Sequence, residues 1–243
     1  MQNIAWHIGC SGFHYKEWKG VFYPQGLPQT KWFEYYTRHF NTLELNVTFY
    51  RFPKVSSLQE WYNKSPDSFL FSAKVPKFIS HFRQFSNTRR MLNDFYSIAK
   101  EGLKEKLGAV LFQSPPQMQY SEEKLNEIID QVNDSFVNVI EFRHISWWQP
   151  KVYKKLKKHN IIFCGHSYPH LPEDVVVNKE ICYYRFHGVP KLYKSAYTNK
   201  FLDSIIKGIK TSAARKCFLY FNNTWGIAAI KNALHTQRII NKI

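Results

Sequence analysis

Three pairs of polar residues stand two positions apart at the ends of apolar runs: Glu44 with Asn46, Glu141 with Arg143, and Arg185 with His187. Side chains of a strand alternate faces, so residues i and i+2 share a side. A charge inside a buried strand is expensive unless it is paired. Lys74 and Asn222 close two further runs of the same kind. Such a set can do acid–base chemistry on an anion. Glu44 and Glu141 supply two carboxylates whose pKa values Arg143, Arg185 and Lys74 would drive apart, and His187 supplies another proton carrier. Asn46, Lys74, Arg143, Arg185 and Asn222 supply donors for an anionic substrate. The competing reading is purely structural: one ion-pair network that seals the strand ends. All eight residues are expected to converge on one pocket.

Glu44, Glu141, His166 and His187 could ligate a metal, but no HExxH, HxH or two-His-one-carboxylate spacing is present. Nearby Arg143, Arg185 and Lys74 would repel a cation, so neither metal nor cofactor is expected. Gly9-Cys10-Ser11-Gly12 does not match the G-x-S-x-G nucleophile pattern. Its glycines suggest instead a tight turn whose backbone N–H groups face an anion. Cys10, Cys164, Cys182 and Cys217 show neither CxxC nor zinc-finger spacing. They read as free thiols, mostly buried, with Cys10 as the candidate for exposure.

The elements that must position these groups follow one rhythm. Short apolar runs cover Ile4–Gly9, Thr42–Val47, Phe69–Val75, Leu107–Gln113, Phe136–Phe142, Ile161–Gly165, Ile181–His187 and Cys217–Asn222. They are rich in Val, Ile, Leu, Phe and Tyr, which suits strands buried on both faces of a parallel sheet. Helix-like segments alternate with them: Lys31–His39, Ser56–Asn63, Arg89–Lys104, Ser121–Val132, Pro150–His159, Thr198–Lys210 and Gly226–Ile240. Ser121 fits an N-cap and Pro150 a first helical turn. Pro169 and Pro172 predict an irregular connection over His166–Lys179. Eight strands in 243 residues match a single (β/α)8 TIM-type barrel, with the first strand beside the last. The rival is a doubly wound open sheet, but no GxGxxG or P-loop follows any strand.

Composition agrees with one globular domain spanning residues 1–243: apolar residues are 44% and charged residues 21%, which excludes a disordered chain. No run approaches the roughly 18 apolar residues of a transmembrane helix. The opening residues lack the basic and apolar regions of a signal peptide. A cytoplasmic protein with no membrane role is expected. The net charge is +16, from 34 Lys/Arg against 18 Asp/Glu. Pro150–Lys216 carries fourteen Lys/Arg and four Asp/Glu, a net of +10. Such charge favours anionic partners, a small molecule or a nucleic acid. The 20 Phe, 15 Tyr and 7 Trp could add stacking surfaces, although most rings belong in a core.

The run Gly9-Cys10-Ser11-Gly12-Phe13-His14-Tyr15-Lys16-Glu17-Trp18-Lys19-Gly20-Val21-Phe22-Tyr23-Pro24 resembles the opening of the DUF72 (YecE-like) family. Tyr35 to Arg51, around Thr42-Leu43-Glu44-Leu45-Asn46, resembles it too, as do Phe71-Ser72-Ala73-Lys74-Val75-Pro76 and Phe112-Gln113-Ser114-Pro115-Pro116. Further matches are Glu141-Phe142-Arg143-His144-Ile145-Ser146-Trp147, Tyr184-Arg185-Phe186-His187-Gly188 and Tyr220-Phe221-Asn222-Asn223-Thr224. The resemblance covers almost the whole chain in order. It implies a TIM-type barrel similar to the endonuclease IV and xylose isomerase group, and no established activity. One departure is His166, in a loop where the family often carries an acidic residue.

Two functions therefore stand open. One is an enzyme acting on a phosphate-bearing or sugar-like substrate at a polar pocket of the strand C-terminal ends. The other is a non-catalytic, sequence-nonspecific nucleic-acid-binding module using the basic segment with Trp147, Trp148, Tyr168 and Tyr193.

Overall fold

The structure, a computed structural model, describes residues 3–241. It contains nine strands: β1 (Ala5–Cys10), β2 (Thr42–Leu45), β3 (Leu70–Lys74), β4 (Leu107–Gln113), β5 (Asn138–Glu141), β6 (Ile161–Phe163), β7 (Gly165–Ser167), β8 (Ile181–Phe186) and β9 (Lys216–Phe221). The helices are α1 (Trp32–Thr37), α2 (Val47–Tyr50), α3 (Val55–Lys64), α4 (Arg89–Leu103), α5 (Glu122–Gln131), α6 (Pro150–Lys158), α7 (Asn199–Lys210) and α8 (Ala228–Asn241). Each apolar run becomes a strand, and each amphipathic segment holds a helix. The ninth strand arises because the sixth run is interrupted at Cys164, giving β6 and β7. Ser121 accepts a hydrogen bond from the Lys124 N–H, and Pro150 occupies the first turn of α6. No helix forms over His166–Lys179, as the prolines predict, but His166 and Ser167 belong to β7 and only the rest of that segment is irregular.

The strands form a four-stranded sheet, ordered β1-β9-β8-β7, and a five-stranded sheet, ordered β2-β3-β4-β5-β6. The recorded pairings are parallel throughout. The first strand lies beside the last, with Ala5 opposite Lys216 and Cys10 opposite Phe221. The chain divides into two compact units, Met1–Glu44 with Gly165–Ile243, and Leu45–Cys164.

In the first unit, the segment after β1 packs as an aromatic cluster. Trp18, Tyr23, Trp32 and Tyr36 are all buried, and Tyr23 stacks on Trp32 with ring centroids 4.5 Å apart. The Trp18 indole donates to the Gly226 carbonyl at 2.9 Å. Gly9 must lack a side chain, because a Cβ would strike the Thr42 carbonyl and the Tyr36 hydroxyl. That hydroxyl accepts from the Cys10 N–H at 2.7 Å and donates to the Thr42 carbonyl at 3.0 Å. The Ser11 N–H donates to the Phe221 carbonyl at 3.0 Å. The glycine turn thus spends these two backbone N–H groups on its own fold, where the spacing had suggested an anion cradle. Cys10, the candidate for exposure, is as buried as the other three, and none of the four is in a disulfide.

In the second unit, α4 packs on α3 where Gly102 approaches Leu58. Leu92, Phe95, Tyr96 and Ala99 of α4 are buried, as are Val110 and Phe112 of β4. The Tyr96 hydroxyl reaches the buried Asn138 amide at 2.6 Å.

Candidate functional site

In the second unit, three neighbouring parallel strands end in polar residues. Lys74 is the last residue of β3 and lies opposite Leu111, two residues before Gln113 ends β4, and Gln113 lies opposite Glu141, the last residue of β5. The Gln113 side-chain carbonyl accepts from Lys74 Nζ at 2.8 Å and from Arg143 Nη2 at 3.3 Å. Arg143 Nε pairs with Glu141 Oε1. The Arg143 N–H donates to Ser114 Oγ at 3.1 Å, which fixes the turn after β5 against the end of β4. Cys164 Sγ approaches Glu141 Oε2 at 3.9 Å. Lys74 lies over the Phe49 ring at 4.0 Å, a placement that suits a partly desolvated cation.

The burial of this cluster is graded. Glu141 is fully covered, Lys74 and Arg143 keep 7% and 5% of their surface, and Gln113, half-buried, is the most exposed of the four. Beside it stands His81, in a short helical turn over Phe78–Phe82, with its ring 5.0 Å from Phe49. Burial pushes the His81 pKa down to about 4, and Lys74, Arg143 and Lys77 add to the effect against Glu141. His81 is thereby neutral beside two cations and one carboxylate. The sequence pattern gave no sign of it, because no periodic signal marks the Phe78–Phe82 turn. Gln113 left a signal, a polar residue closing an apolar run, but nothing showed that it would join two cations.

In the first unit, Arg185 Nη2 meets Glu44 Oε1 at 2.6 Å, and the Tyr183 hydroxyl donates to Glu44 Oε2 at 2.8 Å. Both charged side chains are completely buried. His187, two residues from Arg185, has a different partner: the Asn222 amide N–H donates to its Nδ1 at 2.9 Å. That bond leaves the ring proton of neutral His187 on Nε2. The His187 ring lies 6.0 Å from His166 and 5.7 Å from Tyr168. His166 is opposite Arg185 in the β7–β8 register, so Glu44 supplies the countercharge that a histidine there does not.

Seven of the eight expected residues thus have an expected partner within their own unit: Lys74, Glu141 and Arg143 in the second, and Glu44 with Arg185 and His187 with Asn222 in the first. Asn46 lies outside its expected strand, because β2 ends at Leu45 and Asn46 precedes α2. Its i, i+2 relation to Glu44 is thus not a strand relation. The aromatics expected to meet a nucleic acid are mostly packed away. Trp147 is fully buried and stacked on Phe142 at 3.9 Å, Trp148 and Tyr168 are half-buried, and only Tyr193 is exposed. Among the described residues, no helix is long and apolar enough to cross a membrane.

The family model described as "Protein of unknown function DUF72" matches residues 7–242. UPF0759 protein YunF of Bacillus subtilis is 27% identical over 157 residues, 61% of this chain and 54% of the relative. UPF0759 protein YecE of Escherichia coli is 30% identical over 130 residues, 49% of this chain and 47% of the relative. The chain spans about half the length of these curated relatives in the matched regions. The crystal structure of a DUF72 family protein from Thermotoga maritima superposes with a TM-score of 0.88 at 24% identity, covering 98% of this chain and 99% of that one. A xylose isomerase-like TIM barrel/4-hydroxyphenylpyruvate dioxygenase fusion protein gives a TM-score of 0.55 at 11% identity, covering 97% of this chain and 42% of that one. These likenesses show an α/β fold with TIM-barrel-like neighbours.

Proposed function

The chain belongs to the DUF72 family, and we propose that its Lys74–Gln113–Arg143–Glu141 cluster binds the anionic group of a phosphate-bearing or sugar-like substrate. The observation that carries the reading is the convergence of two cations on one acceptor: Lys74 Nζ and Arg143 Nη2 both donate to the side-chain carbonyl of the half-buried Gln113. An anion arriving there gains charge-assisted hydrogen bonds in a poorly solvated place. Glu141 is the acid–base carboxylate in this reading. Glu44, engaged at both oxygens by Arg185 and Tyr183, holds Arg185 in place rather than moving a proton. His187, oriented by Asn222, is the proton carrier of the first unit. Asn46 stays a candidate donor at the start of α2. The reading goes with a (β/α)8 barrel, in which sites occupy the C-terminal ends of strands. Its support is the parallel pairing and the likeness to a xylose isomerase-like barrel.

The test is a titration with inorganic phosphate at constant ionic strength, followed by the unfolding temperature of the protein and of Lys74→Met. A ligand that binds only the folded state raises that temperature with its concentration. Phosphate also stabilises proteins by exclusion from their surface, which both proteins would show equally. A larger, saturable rise in the unsubstituted protein supports the site. Identical curves for the two proteins end the proposal.

A further inference from the structure

We propose that the aromatic face beside this cluster takes a single-stranded nucleic acid, with a phosphate at Lys74 and Arg143 and flanking bases on Tyr50, Phe78 and Phe82. The phosphate contact rests on the anion-binding reading; the stacking face rests on separate observations. Tyr50, Phe78 and Phe82 are 72%, 46% and 67% exposed. Single exposed rings are ordinary, but a contiguous group marks an interaction surface. These rings are contiguous. Lys77 Nζ lies 5.8 Å from the Tyr50 centroid and 5.6 Å from that of Phe82. Phe78 and Phe82 are 6.2 Å apart, and the Arg83 guanidinium lies 5.5 Å from the Phe78 centroid.

The rings are exposed, and the cations beside them stand where a phosphate next to a stacked base would be. The surrounding sequence contributes no opposing charge. Ser68–Asn93 contains Lys74, Lys77, Arg83, Arg89 and Arg90 without one Asp or Glu, and Leu45–Gln59 adds Arg51 and Lys54, again without an acid. The face also runs into the anion cluster. Tyr50 touches Phe49 at 5.2 Å, and Phe49 lies beneath Lys74 at 4.0 Å. On its other side, α2 lines a cleft of about 340 Å³ with Arg51, Phe52, Lys54 and Trp61, a second place where a ring can enter beside a cation.

Rings that alternate with cations fit a polymer that alternates bases with phosphates. A duplex keeps its base faces stacked and offers only phosphates, and an acidic peptide offers charge without a run of π faces. A lipid surface would use the same rings without needing the row of cations to be in step with them.

The experiment measures binding at low salt of a fluorescent twelve-nucleotide single strand of mixed sequence, its duplex, and vesicles of phosphatidylcholine with phosphatidylserine. The phosphate titration is run in parallel on Tyr50→Ala/Phe82→Ala and Lys74→Met proteins. Because Tyr50 and Phe82 are exposed, the double substitution leaves the core intact. The single strand is expected to bind at least roughly tenfold tighter than the duplex. The double substitution should weaken it by roughly tenfold or more, within the range for lost base stacking, and leave the phosphate response unchanged. Lys74→Met should weaken both. Phosphate binding without oligonucleotide binding overturns the nucleic-acid inference and spares the anion site. Ring-dependent oligonucleotide binding with no phosphate response spares the stacking face and overturns the anion site. Equal affinity for duplex, indifference to the double substitution, or ring-dependent binding of vesicles alone also overturns the inference.

Discussion

Arg185 and Glu44, 141 positions apart in sequence, form an ion pair with neither side chain exposed, closed by the Tyr183 hydroxyl on the second carboxylate oxygen. Both oxygens of the carboxylate are engaged, and the two charges cancel. The pair's contribution is therefore a matter of what happens when one partner is lost. Arg185→Met would leave Glu44 buried with a tyrosine alone for company. The expected loss is about 3–5 kcal/mol of unfolding free energy, as for one partner removed from a buried pair. Urea denaturation at neutral pH reads it. A loss below about 1 kcal/mol would mean that the pair is not buried in solution.

Lys74 is predicted to behave differently. Its side chain is buried with Nζ over the Phe49 ring, and methionine keeps similar length and apolar volume. Lys74→Met should cost less than about 1.5 kcal/mol in urea denaturation while reducing phosphate affinity by roughly tenfold, as expected for one charge-assisted hydrogen bond. A variant that loses several kcal/mol and keeps phosphate affinity would identify Lys74 as a structural residue.

Two histidines set an acid limit. Burial holds His81 near pKa 4, helped by Lys74 and Arg143, and burial with Lys216 holds His7 near 4. Both groups titrate near 6.5 in an unfolded chain. Between these values the unfolded state binds more protons than the folded one, so stability rises with pH across the window. The protein should hold this stability in full above pH 6.5 and lose it as the pH falls toward 4. His81→Gln should flatten that loss by about 1 kcal/mol, allowing for the partial exposure of the ring. Urea midpoints at pH 7 and 5 for both proteins provide the check, and equal slopes would remove His81 as a cause.

Anion binding should also be visible at His81. A phosphate on Lys74 and Arg143 would cancel two of the charges that oppose its protonation, leaving burial as the remaining cause. The His81 ring signals in a proton NMR pH titration should then shift their midpoint upward in phosphate relative to chloride. An unmoved midpoint would place any bound phosphate elsewhere.

The thiols should be silent. Cys10, Cys164, Cys182 and Cys217 are buried thiols outside any disulfide, and burial raises the Cys10 and Cys217 thiols above their usual range. Thiolate is the reactive form. Ellman's reagent should find fewer than one reactive thiol per native chain and all four in denaturant. Rapid reaction of Cys10 in the native protein would show that the turn after β1 opens.

Most of the strands and helices, and the polar residues at the strand ends, are legible along the chain, because each is a local property. An apolar run such as Leu107–Gln113 has one sensible structure in a buried parallel sheet, and β4 has those same bounds. Ser121, Pro150 and the prolines at 169 and 172 act within a turn or two of themselves. What tertiary structure decided was the choice of partner. Alternation says that Arg185 and His187 share a side, but strand neighbours decide that one meets Glu44 and the other Asn222. It also decided which rings face water. Trp147 and Tyr50 are both aromatic residues in short helical turns, yet Trp147 is sealed against Phe142 with its indole bonded to the Met118 carbonyl, while Tyr50 stands in solvent. Hydropathy fixes what a side chain prefers. Whether it is granted depends on what the rest of the chain brings to that spot, and that information is spread over residues far apart in sequence.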